Sequence, residues 1–365
     1  KERGNSDCGH GLCPVWLFRS CPTAGAETTP GTLRCMRRWP PYNSVVTDTN
    51  GLPMDVQAPR TDLFPEISSY AHGMLKVDGR HTLYWELSGN PKGKAVVFLH
   101  GGPGAGTIPV HRRFFDPDHY RIVIFDQRGA GRSTPAADIS DNTTAHLIED
   151  METLRRHLGI ERWLVFGGSW GACLAIAYGI AYPERCAGFV LRGVFLGRQR
   201  ELDWFLHGMG TIFPEAQRAF TDFLPADERG DVANAYHQRL TSPDAAVHRP
   251  AAQAWGRYEN ACSVLVPKFN GGGSSLALAR IESHYFKNAM FMAENHLLDN
   301  LDRIRHLPAA IVQGRYDVVC PIVTADELAR AWPNAEMTVV PDAGHAAMET
   351  GIRTALIAAT ERFKG

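Results

Sequence analysis

The sequence predicts an α/β fold in which a mostly parallel central sheet is flanked by helices and a block of helices is inserted before the last strands. Short, continuous apolar runs, such as residues 95–99, alternate with helix-compatible segments, such as residues 144–158. Several of these runs end in a Gly-rich loop, which is typical of parallel strands whose carboxyl ends form a ligand site. From about residue 200 to 295 the spacing of apolar residues becomes helical and includes no buried strand run.

These changes of pattern divide the chain into four predicted segments. Residues 1–62 are rich in Gly, Pro, Thr, Arg and Cys without a sustained period, which indicates a poorly ordered extension with no catalytic residue. We expect residues 63–197 and 299–365 to form the two parts of the sheet-containing core, with residues 198–298 as a helical cap over the site. Three consecutive glycines at 271–273 indicate a flexible break within that cap.

Composition excludes several classes of function. The 38 basic and 39 acidic residues nearly balance, so we expect no binding to nucleic acid or an anionic membrane, and no apolar run is long enough to span a bilayer. The eight cysteines lack the paired spacing of zinc ligands, and we expect neither a metal nor an organic cofactor. The four cysteines after residue 100 are typical of buried thiols in a reducing compartment, which predicts a soluble, cytoplasmic protein. The oligomeric state is left open.

The predicted strands follow one another along the chain. The first two flank Asp78 and Gly79 with alternating apolar residues, which predicts a β-hairpin. The continuous runs at 95–99 and 120–125 predict strands that are buried on both faces of the sheet. Further apolar runs lie at residues 163–166, 189–193, 309–313 and 336–340.

The run at 163–166 leads into Gly167-Gly-Ser-Trp-Gly171, and a small, apolar, helix-compatible segment follows. Strand, sharp turn and helix form the context that a G-x-S-x-G nucleophile elbow requires. A serine on so tight a turn has a strained backbone, and its neighbours two residues away must be small, as Gly167 and Gly171 are. The pattern predicts Ser169 as a nucleophile at the top of the sheet, while an ordinary Gly-Ser loop is the alternative interpretation.

A serine nucleophile needs a base, and the base needs a carboxylate that orients it. When the serine lies on such an elbow, the order along the chain is Ser, acid, His, with both partners on loops after later strands. Asp317 follows the run at 309–313, and His345 follows the run at 336–340. Asp342 is the rival acid, but it shares a loop with His345, so its carboxylate reaches Nδ1 from the correct side less readily.

The Gly-rich loop at residues 100–104 is suited to form part of an oxyanion hole. Acyl transfer places negative charge on the carbonyl oxygen, and backbone N–H groups that approach it closely can stabilise that charge. One donor is expected on the residue after the nucleophile, Trp170, and another on the early Gly-rich loop. We choose Gly102 for the second donor, with Gly101 as the alternative. A phosphate-binding loop is excluded because no Gly-Lys-Ser/Thr follows, whereas a purely structural glycine turn stays possible.

Five motifs together resemble the proline iminopeptidases, which are serine peptidases of the α/β-hydrolase fold that release N-terminal proline. The motifs are His100-Gly-Gly-Pro-Gly104, Asp126-Gln-Arg-Gly-Ala-Gly-Arg-Ser133, Gly167-Gly-Ser-Trp-Gly171, Gly314-Arg-Tyr-Asp317 and Gly344-His345. The resemblance covers about residue 63 to the end of the chain. It implies an α/β-hydrolase core with an inserted helical cap. By position it implies Ser169 as the nucleophile, Asp317 as the orienting acid and His345 as the base.

The same resemblance implies a substrate-binding set in the cap and core. Glu259 and Glu282 match the two cap carboxylates that hold the free amine of the substrate, and Phe195 and Cys320 match positions that line the proline pocket. Paired carboxylates suit an exopeptidase, because a charged contact with a desolvated ammonium group is among the stronger hydrogen bonds. Without the resemblance, either glutamate is more typical of a solvated helix face.

Two departures from the family pattern bear on substrate preference. Tyr258 stands where many members have Trp, and the glycine run at 271–273 interrupts the cap between the two glutamates. The predicted function is a serine aminopeptidase acting on peptides with N-terminal proline. One alternative is a related hydrolase of small esters, lactones or amino-acid amides. The other is a binding or receptor protein on a hydrolase scaffold, which is normally marked by loss of a triad member.

Overall fold

The structure is a computed structural model that describes residues 62–266 and 275–365, so residues 1–61 of the predicted extension and the glycine run at 271–273 lie outside the described residues. The central sheet contains eight strands in the order β1-β2-β4-β3-β5-β6-β7-β8. They are β1 (Ala71–Lys76), β2 (Thr82–Gly89), β3 (Lys94–Leu99), β4 (Tyr120–Phe125), β5 (Trp163–Gly168), β6 (Cys186–Arg192), β7 (Ala309–Gly314) and β8 (Ala335–Val340). Strand β2 pairs antiparallel with β1 and β4, and all other neighbours pair in parallel.

Helices cover both faces of this sheet and fill the segment between β6 and β7. They are α1 (Thr144–His157), α2 (Trp170–Ala181), α3 (Gln199–Leu206), α4 (Pro214–Asp222), α5 (Val232–Thr241), α6 (Ala245–Cys262), α7 (Leu276–Lys287), α8 (His296–Asp299), α9 (Ile322–Ala331) and α10 (Thr350–Arg362). In the part of the chain that the structure describes, no helix is long and apolar enough to cross a membrane.

The apolar runs form strands because the sheet has a hydrophobic layer on each face. Successive side chains of a strand point to opposite faces, so a strand that is covered on both sides must be apolar at every position. In β3, Val97 packs in the cluster that contains Met151 of α1 and Leu174 of α2, while Val96 packs in the cluster that contains Leu356 of α10. The predicted hairpin and the predicted parallel strands are confirmed.

Helices α3 to α8 lie between β6 and β7, and no described residue of that segment is in a strand. Side chains that accept a hydrogen bond from the first turn begin three of these helices: Asp231 for α5, Asp244 for α6 and Ser275 for α7. The helical character of the insertion agrees with the spacing in the sequence. Its division from the core at residues 198 and 298 stays a prediction.

Candidate active site

Ser169 lies at the turn between β5 and α2, at the carboxyl end of a central strand. Its backbone has φ 59° and ψ −126°, a conformation that non-glycine residues rarely adopt. A Cβ atom on Gly167 would lie 2.1 Å from the carbonyl oxygen of Gly171, and one on Gly171 would lie 2.2 Å from the carbonyl oxygen of Leu99. Both positions therefore require glycine, and the hydroxyl of Ser169 is presented at the edge of the sheet.

Asp317 and His345 meet at the neighbouring strand ends. Nδ1 of His345 lies 2.8 Å from Oδ2 and 3.0 Å from Oδ1 of Asp317. The carboxylate also accepts hydrogen bonds from the backbone N–H of Cys320 at 2.8 Å and from Nε2 of Gln313 at 3.0 Å, so its orientation is fixed. Asp342, the rival acid, is exposed in the loop that carries His345, and the imidazole bonds to Asp317 instead.

The loop that carries His345 is also joined to the inserted helices. The backbone N–H groups of His345 and Ala346 donate to the carbonyl oxygen of Ser263, the residue after α6, at 3.1 and 2.9 Å. The carboxylate of Glu349 accepts from the backbone N–H groups of Gly344 and Leu265 at 2.8 and 3.0 Å. The position of the imidazole therefore depends on α6 as well as on the sheet.

The second nitrogen of the imidazole contacts an arginine that the sequence did not single out. Nε2 of His345 lies 3.0 Å from Nη1 of Arg192, which also donates to the carbonyl oxygen of His345 at 2.9 Å. No hydrogen bond joins Ser169 and His345 among the described residues, although both line the same cavity. The structure thus brings Asp317 and His345 into contact, and Ser169 near them, with the guanidinium of Arg192 bound to Nε2.

Arg192 is the last residue of β6, and Gly193 follows it with φ +55°. A Cβ atom on Gly193 would lie 2.8 Å from Cε1 and 2.9 Å from Nδ1 of His345, so the imidazole packs directly on this glycine. In the sequence, a charged residue followed by a glycine at the carboxyl end of an apolar strand is a pattern that could have marked both residues as candidates for the site. Their contact with His345 depends on the pairing of β6 with β7, which the local sequence does not specify.

The candidate oxyanion donors lie on two segments that a single side chain connects. The backbone N–H of Trp170 is the first of helix α2 and has no intrahelical acceptor. Nε2 of Gln127 donates to the carbonyl oxygen of His100 at 2.9 Å, and its Oε1 accepts from Nε1 of Trp170 at 2.9 Å. Gly102 lines both cavities next to Ser169, and a Cβ atom on Gly101 would lie 3.9 Å from Oγ of Ser169. Both glycines therefore stay candidates.

Two cavities meet at Ser169. The larger has a volume of about 300 Å³, and its lining includes His345 and Arg192. The narrower has a volume of about 20 Å³. Its lining includes all four predicted substrate-binding residues, Phe195, Glu259, Glu282 and Cys320, together with Ser169.

The two glutamates have no cationic partner in the part of the chain that the structure describes. Glu282 of α7 is only 3% exposed, and its Oε2 accepts a hydrogen bond from Nε1 of Trp255 at 2.5 Å. Burial raises the pKa of Glu259, on α6, to about 7. Burial, reinforced by the neighbouring Glu259 carboxylate, raises the pKa of Glu282 well above its usual range. Neither forms an ion pair with any residue in the described ranges 62–266 and 275–365, which makes the pair a strong site for a cation.

The remaining predicted residues occupy different environments. Cys320 is buried, and this burial raises the pKa of its thiol well above the usual range, so the thiol is neutral. Tyr258 does not line the narrow cavity: its hydroxyl oxygen lies 2.7 Å from the carbonyl oxygen of Phe205 and 2.5 Å from Oε1 of Gln217, and it shares its proton between these two acceptors. The described residues include no cluster of His, Cys, Asp and Glu that could hold a metal ion.

The eight-stranded sheet with a serine on a strand–helix elbow defines an α/β hydrolase, and the family model for the alpha/beta hydrolase fold matches residues 94–352. The chain is 52% identical over 309 residues to a probable proline iminopeptidase from Leptolyngbya boryana. The aligned region covers 82% of this chain and 96% of that protein. It is also 52% identical over 311 residues to a proline iminopeptidase from Arabidopsis thaliana, covering 83% of this chain and 82% of that protein. The chain belongs to the proline iminopeptidase family and is a hydrolase.

Solved structures share the fold. A proline iminopeptidase from Mycobacterium smegmatis aligns over 80% of this chain and 98% of its own, with a TM-score of 0.54 and 16% sequence identity. At that identity the likeness extends to the α/β-hydrolase fold alone.

Proposed function

We propose that this protein is a serine aminopeptidase that releases N-terminal proline from peptides through a Ser-His-Asp acyl-enzyme mechanism. The observation that carries the proposal is a pair of carboxylates, Glu259 and Glu282, which lines one narrow cavity with Ser169 and has no cationic partner among the described residues. The names of the relatives from Leptolyngbya boryana and Arabidopsis thaliana agree with this substrate class. The four buried, free cysteines of the described residues fit the cytoplasmic location expected from the sequence.

The chemistry proceeds in two acyl-transfer steps. Oγ of Ser169 attacks the carbonyl carbon of the N-terminal proline while Nε2 of His345 takes the hydroxyl proton, and Asp317 stabilises the imidazolium. The backbone N–H groups of Gly102 and Trp170 stabilise the negative oxygen of the tetrahedral intermediate. His345 then gives the proton to the leaving amine, and a prolyl ester on Ser169 remains. Water, activated by His345, hydrolyses that ester and frees proline.

The two glutamates restrict the reaction to an N-terminal residue. A protonated amine between Glu259 and Glu282 supplies the missing positive charge, whereas an acylated nitrogen inside a longer chain leaves both carboxylates unpaired. The narrow cavity holds about 20 Å³, which is room for about one water molecule. A pyrrolidine ring therefore requires lining side chains such as Phe195 to move apart when the substrate binds.

Hydrolysis of proline anilide, free and N-acetylated, tests this proposal. We expect the parent enzyme to cleave the free anilide and not the acetylated one, and the Ser169→Ala variant to lose at least about 10⁴-fold in kcat because the nucleophile is gone. Ser140→Ala is the matched control, because Ser140 is exposed and lies outside the elbow. This variant should retain parental activity. Folding of both variants is checked by thermal melting.

Two results would contradict the proposal. Parental activity in a folded Ser169→Ala variant would exclude Ser169 as the nucleophile, and equal cleavage of the acetylated anilide would exclude the amine anchor. A parallel assay with a short acyl ester identifies the alternative, an esterase or lactonase, if the ester alone is cleaved. Failure of an active-site fluorophosphonate to label Ser169 would favour a binding protein on this scaffold.

A further inference from the structure

Arg192 is a half-buried cation that pairs with no carboxylate among the described residues. Within residues 62–266 and 275–365, its buried Nε has no hydrogen-bond partner, and the hydrogen bonds of its Nη1 go to Nε2 and the carbonyl oxygen of His345. Burial lowers the pKa of this guanidinium, and the negative charge of Asp317 offsets the effect only in part. In the described part of the chain it forms no ion pair, whereas the buried Arg128, Arg155 and Arg198 each bind a carboxylate.

An unpaired guanidinium inside a protein is unfavourable unless a ligand supplies the anion. Arg192 lines the larger cavity together with Ser169, His345 and Glu259, whereas Glu282 lines the narrow cavity. Both glutamates therefore line the narrow cavity next to the candidate nucleophile, and the cation of Arg192 lines the larger one. If the narrow cavity takes the N-terminal residue, as the proposed function requires, the larger cavity takes the leaving part of the peptide.

The distances fit a leaving group of one residue. The leaving amine must come within about 3 Å of Nε2 of His345 to receive its proton. In a free amino acid a carboxylate oxygen lies about 3 Å from the amine nitrogen, because only Cα and the carboxyl carbon separate them. Nη1 of Arg192 lies 3.0 Å from that same Nε2, so the carboxylate of a one-residue leaving group is within reach of the guanidinium.

We propose that Arg192 binds the free α-carboxylate of the residue that follows proline, and that dipeptides with N-terminal proline are the preferred substrates. Arginine suits this role because its planar N–H groups match a carboxylate. Binding of the carboxylate also draws the guanidinium away from Nε2 of His345, which frees that nitrogen for the proton of Ser169. It further neutralises the positive charge beside the imidazolium that forms during catalysis. The preference is therefore expected in kcat as well as in KM.

The test compares Pro-Ala with Pro-Ala-NH₂, which differ only in the charge of the terminal group, together with prolyl anilide. We expect the parent enzyme to favour Pro-Ala by about tenfold or more in kcat/KM, the strength of a charge-assisted hydrogen bond. The Arg192→Gln variant should lower this ratio to about one, and Arg192→Lys should retain part of it because it keeps the charge. Arg330→Gln, which removes an exposed arginine, is the matched control and should keep the parental ratio.

The ratio of kcat/KM for Pro-Ala to that for Pro-Ala-NH₂ separates substrate recognition from a general loss of activity. A merely structural role of Arg192 would lower kcat/KM for both substrates together. A parental ratio near one, or an undiminished ratio in Arg192→Gln, would overturn the proposal while leaving the proposed function intact, provided that prolyl anilide is cleaved. If neither the anilide nor Pro-Ala is cleaved, the proposed function itself fails. If Arg192→Gln does not fold, the parent enzyme is assayed with Pro-Ala and with Pro-Ala-Ala, whose carboxylate lies one residue further from the scissile bond. We expect Pro-Ala to be cleaved more efficiently. Cleavage of Pro-Ala-Ala as efficient as that of Pro-Ala would contradict the inference.

Discussion

At the scale of single residues, Gln127 connects the two segments that carry the candidate oxyanion donors. Its amide donates to the carbonyl oxygen of His100 and accepts from the indole N–H of Trp170, and all three side chains are buried. Replacing Gln127 with Met keeps a similar shape but removes both of these hydrogen bonds. Because oxyanion stabilisation acts in the transition state, we expect kcat for prolyl anilide to fall about tenfold or more while KM changes less. Steady-state kinetics at several substrate concentrations measure this split.

Trp170→Phe is the matched control for that variant. It removes the indole N–H together with part of the buried ring, so it breaks one of the two bonds of Gln127 and keeps the backbone N–H of residue 170. The loss of kcat should be smaller than for Gln127→Met. If Gln127→Met melts at the same temperature as the parent and differs from it only by a higher KM, then Gln127 supports substrate binding and does not position the donors.

At the scale of elements, the end of β6 holds the imidazole through a position where only glycine fits. A methyl group on Gly193 would press on Cε1 and Nδ1 of His345 at less than 3 Å. We expect Gly193→Ala to lower kcat by about 100-fold, because a displacement of about 1 Å in a catalytic group costs that much. The backbone itself also becomes strained, since alanine disfavours φ +55° by about 1 kcal/mol.

Gly159 separates these two effects. It follows α1 with φ +62°, and a Cβ atom there would meet nothing within 4 Å. Gly159→Ala carries the backbone strain without the contact, so it should lower the melting temperature less than Gly193→Ala does and leave kcat at the parental value. If the two variants lose activity equally, backbone strain and not contact with His345 explains the effect.

Strands could be predicted because each carries its own apolar run, and Ser169, Asp317 and His345 could be predicted because each follows such a run. Gln127, Arg192 and Gly193 carry the same kind of local signal. Their roles depend on which strands are neighbours, however, and the order β3-β5-β6-β7 is decided by packing across the whole sheet.

Other parts of the candidate site could not be predicted from local pattern at all. Glu259 and Glu282 lie on α6 and α7, and nothing in their helical spacing distinguishes them from solvated charges. Only the resemblance to the proline iminopeptidases singled them out, and their approach depends on how the two helices pack. The indole of Trp170 is buried against Tyr285, with ring centroids 4.8 Å apart, and this contact likewise joins residues far apart in the chain.

At the scale of the whole molecule, the two enclosed glutamates make stability depend on pH. Their pKa values are raised in the folded protein, to about 7 for Glu259, above the ordinary value of 4.5 that applies when the chain unfolds. At pH values between the ordinary pKa and the raised pKa, the folded state binds more protons than the unfolded state. The free energy of unfolding therefore falls as pH rises through this range. Below about pH 4 both states are protonated, and the penalty disappears.

Glu282→Gln removes this penalty while its side-chain oxygen can still accept the hydrogen bond from Trp255. We expect the variant to be more stable than the parent at pH 8 by roughly 1 kcal/mol or more, an increase of about 2 °C or more in Tm, and equally stable near pH 4. Glu161→Gln makes the same change of charge at an exposed position and should show no such dependence on pH. Thermal melting of the three proteins at both pH values measures the effect, and the same Glu282→Gln variant should bind prolyl anilide more weakly. A stability difference that is identical at pH 4 and pH 8 would mean that the charge of Glu282 is already compensated in the free enzyme, which would remove the physical reason for placing the substrate amine there.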